Sequence, residues 1–592
     1  MTIEQTAAER SRDGWRAISR SLGRGIGILA CGAVLVTGCT RGEPEAKAST
    51  TALGESGAVA NGMALEPELH AALAAARHPA LRWPAFGDQR PELVRLYERA
   101  HWRPLWLSSD RPTPAAMQLI ARFAGADTLG LEPEDYDPVW LAAQAATLRA
   151  GNAPPSAAEL ASFDLGLSVA TVRFVASLNR GRVSPKLVHA ALFLARPQLA
   201  IEMVVDSLRD ETQQGALLTR LQPRLEHYQF LKNGLAFYRA LARDTTLVPL
   251  PALPRNLKPG LRLAAAARLR HLLAATGDLT GAATAARRES LYSGDLVTGV
   301  RNFQRRQGYA ADGVIGPATI ARLDRPFAQR VRQIELALER FRWLPTSFTA
   351  PPVMVNIPAF RLYSFPTAVD RERDMLAMDV VVGGSFDRRT PVFAADMRYL
   401  IFRPFWEVPA SIMDAEVRPK ASRDPAYLER ERMVLVGSDA PDAPALAATS
   451  ANIARIGRGL RVRQLPGPEN SLGLVKFIMP NAMNIYLHDT PGKAAFDRSR
   501  RDVSHGCIRL SDPVALAVRV LRDQPEWTEA HVREALVGED NQRVNLKTPV
   551  PVCILYATAI ARENGEVLFY EDIYGLDREL DALLVKGYPY PR

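Results

Sequence analysis

The stretch from Asn484 to Pro513 constrains this chain more than any other part of it. It opens Asn484-Ile-Tyr486-Leu-His488-Asp489-Thr490-Pro491, which predicts the end of a strand before a Thr-Pro-Gly break. A polar, basic loop from Gly492 to Asp502 predicts a solvated segment. The chain then runs Ser504-His505-Gly506-Cys507-Ile508-Arg509-Leu510. At Asp512-Pro513 an acidic N-cap and a first-turn proline open a helix.

These residue types point to a cysteine nucleophile. A free thiol is mostly protonated at neutral pH, and the thiolate is the form that attacks a carbonyl. An imidazole within reach can take that proton and return it to a leaving amine. His505, two residues before Cys507, leaves an extended segment on the same face, whereas His488 comes from a neighbouring element. Gly506 permits close backbone approach and fits an oxyanion hole built from the amides around Cys507. A zinc site is the rival for His488, His505 and Cys507, but it lacks paired spacings and a fourth ligand. Cys553, within Val550-Pro-Val-Cys-Ile-Leu, fits plain strand core.

The set His488…Ser504-His505-Gly506-Cys507-Ile-Arg509 resembles the signature of the YkuD-type L,D-transpeptidases, cysteine enzymes that cross-link peptidoglycan. Phe405-Trp406-Glu407-Val408-Pro409-Ala410-Ser411-Ile412 and Gly473-Leu-Val-Lys476-Phe477 resemble the segments preceding that motif in the large multidomain members, and the likeness extends over most of the chain after about residue 85. The resemblance implies that His488 is the general acid/base, held by the backbone carbonyl of Asp489. It implies that His505 shapes the cleft and that Arg509 faces substrate. Arginine at 509 replaces the asparagine of other branches and points to the large Gram-negative type. Ser504, Tyr486 and Trp406 are further candidates for the substrate cleft, although buried packing explains the two aromatics equally well.

The 592 residues exceed a single core, and their 47% apolar and 23% charged content is that of a globular protein. The net charge of +10 fits anionic surroundings such as an envelope, or a general arginine bias, and no motif argues for nucleic acid. Residues 1–39 form a targeting segment, with a basic region followed by an apolar stretch from Gly25 to Gly38 that is short for a span of about 20 residues. It ends Leu35-Val-Thr-Gly-Cys39, which looks like a lipobox with Cys39 as the lipidated residue; a later start or an uncleaved anchor are the alternatives. Each implies export to the periplasm, with the outer membrane favoured by Thr40. In an oxidising compartment, an unpaired Cys507 flanked by histidine and glycine is a reactive thiol.

The expected architecture is multidomain α+β. Residues 40–65 are a disordered tether, and 66–256 a helical scaffold domain whose aromatics, Trp102, Trp106, Tyr136 and Trp140, pack the helices or form a carbohydrate platform. Residues 257–325 closely resemble a three-helix peptidoglycan-binding domain, either binding glycan or serving as a structural insert. Residues 326–351 are a linking helix of the scaffold. Residues 352–592 are a mainly β catalytic domain with a helical, polar lid at about 407–471.

The resulting hypothesis is acyl transfer between peptidoglycan stem peptides at diaminopimelate, through a Cys507 thioester and without a cofactor. Hydrolysis by the same site (a carboxypeptidase or endopeptidase), transfer to a protein lysine, and a non-catalytic wall-binding lipoprotein are the rivals.

Overall fold

The computed structural model describes residues 65–588, except 152–153, 190–198, 282–289, 346–347, 369–372, 385–387 and 441. Cys39, the tether and the targeting segment lie outside the described residues. Helix α1 (Ala157–Arg180) is the axis of the N-terminal region. It starts at a capping box in which Ser156 and Glu159 satisfy each other's backbone amides. It is long and apolar enough to cross a membrane, but 89% of its apolar window is buried inside the protein, as in the core helix of a folded domain. Its one buried acid, Asp164, accepts from the amides of Leu105 and Trp106 and from the Tyr97 hydroxyl. Trp106 donates to Ser168, and both Trp106 and Tyr136 are wholly buried. These two rings therefore pack the helices and are unavailable as a carbohydrate platform.

Helices α2 (Glu226–Arg243) and α4 (Phe327–Arg342) form a second layer. Between them in sequence lies the three-helix module, with Ala266–Ala275, α3 (Asp295–Arg306) and Pro317–Leu323 around Leu269, Leu296, Val300 and Ile315. The module is fastened to its neighbours by charge. Arg306 pairs with Asp278 in the buried joint and donates to the Tyr238 hydroxyl on α2. On its other side Tyr309 donates to Glu571 at 2.8 Å and Arg322 pairs with the same carboxylate.

The C-terminal region is built on a nine-stranded sheet. Its strands are β1 (Val353–Asn356), β2 (Arg361–Ser364), β3 (Leu376–Gly383), β4 (Phe393–Phe402), β5 (Val475–Ile478), β6 (Leu487–His488), β7 (Asp502–Ser504), β8 (Ile508–Leu510) and β9 (Gln542–Leu555). The order is β7-β3-β8-β6-β5-β4-β9-β1-β2, and β2 also pairs with β3, so all strands but β7 close into a ring. Closure removes the open edges, and the alternating apolar residues Val353, Val355, Val380, Val382, Leu400, Phe477, Leu487, Ile508 and Leu510 fill the interior.

Two expectations change. The insertion is not merely helical and polar: it holds a three-stranded antiparallel sheet, Trp406–Glu407, Arg461–Gln464 and Met433–Val436, beside short helices. It also has its own core of Val408, Met413, Val417, Leu428, Leu435, Ile453 and Val462. Strands of two to four residues carry too few periods to stand out in a sequence. The chain after β9, expected within the mainly β domain of residues 352–592, adds no strand to the barrel. The hairpin Ala559–Ala561/Val567–Phe569 pairs only with itself and packs on α2 and α4, while Tyr588 reaches Ser177 on α1.

Candidate active site

Strands β6 and β8 run parallel, with Leu487 opposite Ile508 and His488 opposite Arg509, which brings the two halves of the 484–513 stretch together. Cys507 occupies the last position before β8. The turn that presents it is pinned from within: the Ser504 hydroxyl donates to the Cys507 carbonyl at 2.6 Å and accepts from the Gly506 amide at 3.1 Å. Gly506 has φ +116°, a left-handed conformation that strains any other residue. Its carbonyl accepts from Thr390 at 2.7 Å, and Thr390 in turn accepts from the Gly383 amide at 2.8 Å.

This geometry revises two assignments. Ser504 is buried and spends its hydroxyl on the turn, so its contacts in this structure position Cys507. The Gly506 amide, expected in the oxyanion region, is taken by Ser504. The Cys507 amide, for which no hydrogen bond appears among the described residues, is the donor left for an oxyanion.

His488 is buried, and its Nδ1 donates to the Asp489 carbonyl at 2.5 Å, which fixes the tautomer and leaves Nε2 unprotonated. Burial first, then the Arg509 guanidinium, pulls its pKa down to about 4. The imidazole is thus neutral at neutral pH, with the Nε2 lone pair free to accept a proton. Asp489 is itself locked: its carboxylate accepts from the Leu474 amide at 2.9 Å and from Lys493 at 2.7 Å.

The Cys507 thiol points to the Asn484 carbonyl, 3.8 Å away. Burial pushes its pKa up, opposed by the Tyr486 amide and hydroxyl, which favour the thiolate, and by Arg509. Tyr486, expected against substrate, therefore also acts on the thiol, and its ring meets that of His488 edge-on at 5.7 Å. Among the described residues no hydrogen bond joins His488 to Cys507, an arrangement common before substrate closes a site.

The remaining candidates fall into two groups. Arg509 is half-buried and has no ion pair among the described residues, and its Nε is buried without a partner. His505 turns to the rim, where Nε2 lies 2.6 Å from Arg388 and 3.0 Å from Glu416 of the insertion. Trp406 packs on the insertion core, and no ring contact or hydrogen bond links it to Tyr486, His488 or Cys507 among the described residues. Thr390, Asn481, Glu416 and Tyr574 had no sequence signal. Asn481 organises the approach to Tyr486, accepting from the Met483 and Ile485 amides and donating to the Ile485 carbonyl.

A buried imidazole with a fixed tautomer and a thiol on adjoining strands of a small barrel define a cysteine–histidine site. Comparison with known proteins places it. Residues 351–552 match the YkuD model, an L,D-transpeptidase catalytic domain. Residues 91–235 match a scaffold domain, and residues 264–323 a "Putative peptidoglycan binding domain". These three matches, with scaffold, peptidoglycan-binding and catalytic domains in that order along the chain, resemble the arrangement of the multidomain L,D-transpeptidases. It is 29% identical over 264 residues to a protein of Haemophilus influenzae named "Putative L,D-transpeptidase", a match covering 43% of this chain. The chain spans about half the length (51%) of that curated relative. A solved L,D-transpeptidase (residues 123–326) from Xylanimonas cellulosilytica is 12% identical with a TM-score of 0.15, covering 52% of this chain and 100% of that one.

Proposed function

We propose that the protein is an L,D-transpeptidase that cross-links peptidoglycan stem peptides between diaminopimelate residues. The observation that carries the reading is the neutral, carbonyl-held His488 next to the pinned Cys507 turn. Cys507 gives its proton to His488 Nε2, and the sulfur attacks the amide carbonyl between the L-centre of diaminopimelate and D-alanine. The Cys507 amide receives the oxyanion, and His488 returns the proton to the D-alanine nitrogen as the C–N bond breaks. The side-chain amine of a second stem then loses a proton to His488 and attacks the thioester, forming the cross-link and releasing the thiol. Arg509, without an internal anion, pairs with a carboxylate of donor or acceptor.

Mass spectrometry of the purified protein with disaccharide-tetrapeptide, beside Cys507→Ala, tests this. A cross-linked dimer lacking one D-alanine, absent from the variant, is the expected result. D-alanine release without dimer makes water the acceptor and the protein a carboxypeptidase; silence in both samples moves the reading to a wall-binding protein. We further place the protein in the periplasm, anchored through lipid on Cys39. Metabolic labelling with a fatty acid that persists in Cys39→Ala overturns the anchoring.

A further inference from the structure

His488 stands in the middle of a row that crosses three strands. Lys476 on β5 is its antiparallel partner and Arg509 on β8 its parallel partner. Paired residues leave a sheet on the same face, so two cations flank the imidazole. That face is the outer one, because the sequence neighbours Val475, Phe477, Leu487, Ile508 and Leu510 all enter the barrel core. Strands lie about 4.8 Å apart, which sets the backbones of the two cations about 10 Å apart.

Neither cation is matched. Lys476 is half-buried and makes no hydrogen bond or ion pair among the described residues. The acid that acts on it is Glu407, on the first strand of the insertion, but Glu407 spends Oε1 on Arg463. The Lys476 ammonium lies 6.0 Å from the centroid of the Tyr486 ring, the ring whose hydroxyl favours the thiolate. Two half-buried cations with no anion in contact, Glu407 acting on Lys476 only from a distance, are stabilised when a ligand brings carboxylates to them.

We propose that Lys476 is a specificity-determining residue that binds one carboxylate of the peptide substrate while Arg509 binds another. The cleft then selects peptides with two carboxylates on the order of 10 Å apart. This rests on the transpeptidase reading and adds what that reading leaves open, namely which peptides the site accepts. The chemistry suits a pair of carboxylates: guanidinium holds one bidentately, and ammonium tolerates a more mobile one. Lys476 also acts on His488, whose charged surroundings are Arg509 and Lys476 on the neighbouring strands and Asp489 beside it, with the Tyr486 ring edge-on and Glu407 of the insertion acting on Lys476 in turn.

The test compares full-length wild type, Lys476→Met and Lys476→Arg on the free-acid disaccharide-tetrapeptide and on derivatives with each carboxylate amidated in turn. Lys476→Met is expected to raise KM about tenfold with kcat within a few-fold, and to lose discrimination against one of the amidated derivatives only. Lys476→Arg restores both. The acid limb of kcat/KM is expected to move up by about half to one pH unit in Lys476→Met, because a positive neighbour of His488 is gone. A wild type indifferent to every amidation overturns the proposal, as does a folded Lys476→Met with wild-type KM and wild-type discrimination. If wild type turns over no substrate, the transpeptidase reading fails on its own; equilibrium binding of the tetrapeptide to Cys507→Ala with and without Lys476→Met still decides Lys476, equal affinities overturning it.

Discussion

The buried His488 imidazole links catalysis and stability through one proton. Its folded pKa, about 4, lies below the ordinary 6.5, so the unfolded chain takes up the proton first. The stability this group contributes is complete above pH 6.5 and falls as pH drops from 6.5 towards 4, by about 3 kcal/mol at most. Urea titrations at pH 7 and pH 4.5 are expected to show a smaller difference in His488→Gln than in wild type. The same variant is expected to lose about 10²–10⁴-fold in turnover, while wild type keeps its activity down to near the folded pKa. Asp489 sets a second residue-scale prediction. Gly473 has φ +60°, and a Cβ there would lie 2.3 Å from the Asp489 carboxylate. Gly473→Ala combines backbone strain with that overlap and is expected to destabilise by about 2 kcal/mol or more. Displacing Asp489 also moves the carbonyl that holds His488, so kcat falls with Tm; a variant with lower Tm and unchanged kcat disproves that coupling. Residue chemistry singled out Cys507 and left His488 and His505 both open as its base; the choice of His488, and the Asp489 carbonyl that accepts from it at 2.5 Å, came from the family resemblance of one short motif. Ser504 and Gly506 misled because their roles depend on which way one tight turn faces. Lys476 gained meaning only from strand register, which no single sequence displays.

At the scale of elements, the barrel strands were legible where β-branched and aromatic runs were bounded by turn residues. The apolar runs at 353–357 and 474–478 form the strands Val353–Asn356 and Val475–Ile478. The insertion was less legible, because its strands are short and its apolar residues are dispersed over some sixty positions. It is nonetheless a folded unit, and one contact ties it to the catalytic turn: Glu416, on the π-helical segment Met413–Val417, meets His505 at 3.0 Å. Both side chains are about one-third exposed, so the pair itself adds little stability. Its effect is positional. Glu416→Gln is expected to leave Tm within about 1 °C, raise KM a few-fold, and speed hydrogen exchange over 410–423. Unchanged exchange and unchanged KM together rule out a role for this contact in holding the insertion over the cleft.

Across the whole molecule, the segment after β9 joins the helical layers to the active-site turn. Tyr588 meets Ser177 on α1, Arg340 on α4 donates to the Leu576 carbonyl, and Tyr556 donates to Asp572 while accepting from the Tyr574 amide. Tyr574 then donates to the Gly383 carbonyl at 2.6 Å and accepts from the Thr390 amide at 3.2 Å. Because Thr390 holds the Gly506 carbonyl, the turn bearing Cys507 is braced from the far end of the chain. Sequence order hid this path: Tyr574 and Cys507 are far apart in the chain, and an isolated tyrosine between acidic residues carries no signal of its own. Tyr574→Phe keeps the ring and removes the donor and acceptor, stranding a buried carbonyl and a buried amide at about 1–3 kcal/mol. If the brace serves catalysis, kcat falls with KM little changed, since the turn is loosened and the cations of the cleft are untouched. Thr390→Val is expected to reproduce that kinetic pattern, and the double variant to lose less than the sum of the two, because both act through the same hydrogen-bonded chain. Full additivity of the two losses in kcat contradicts a single path from the C-terminal segment to Cys507.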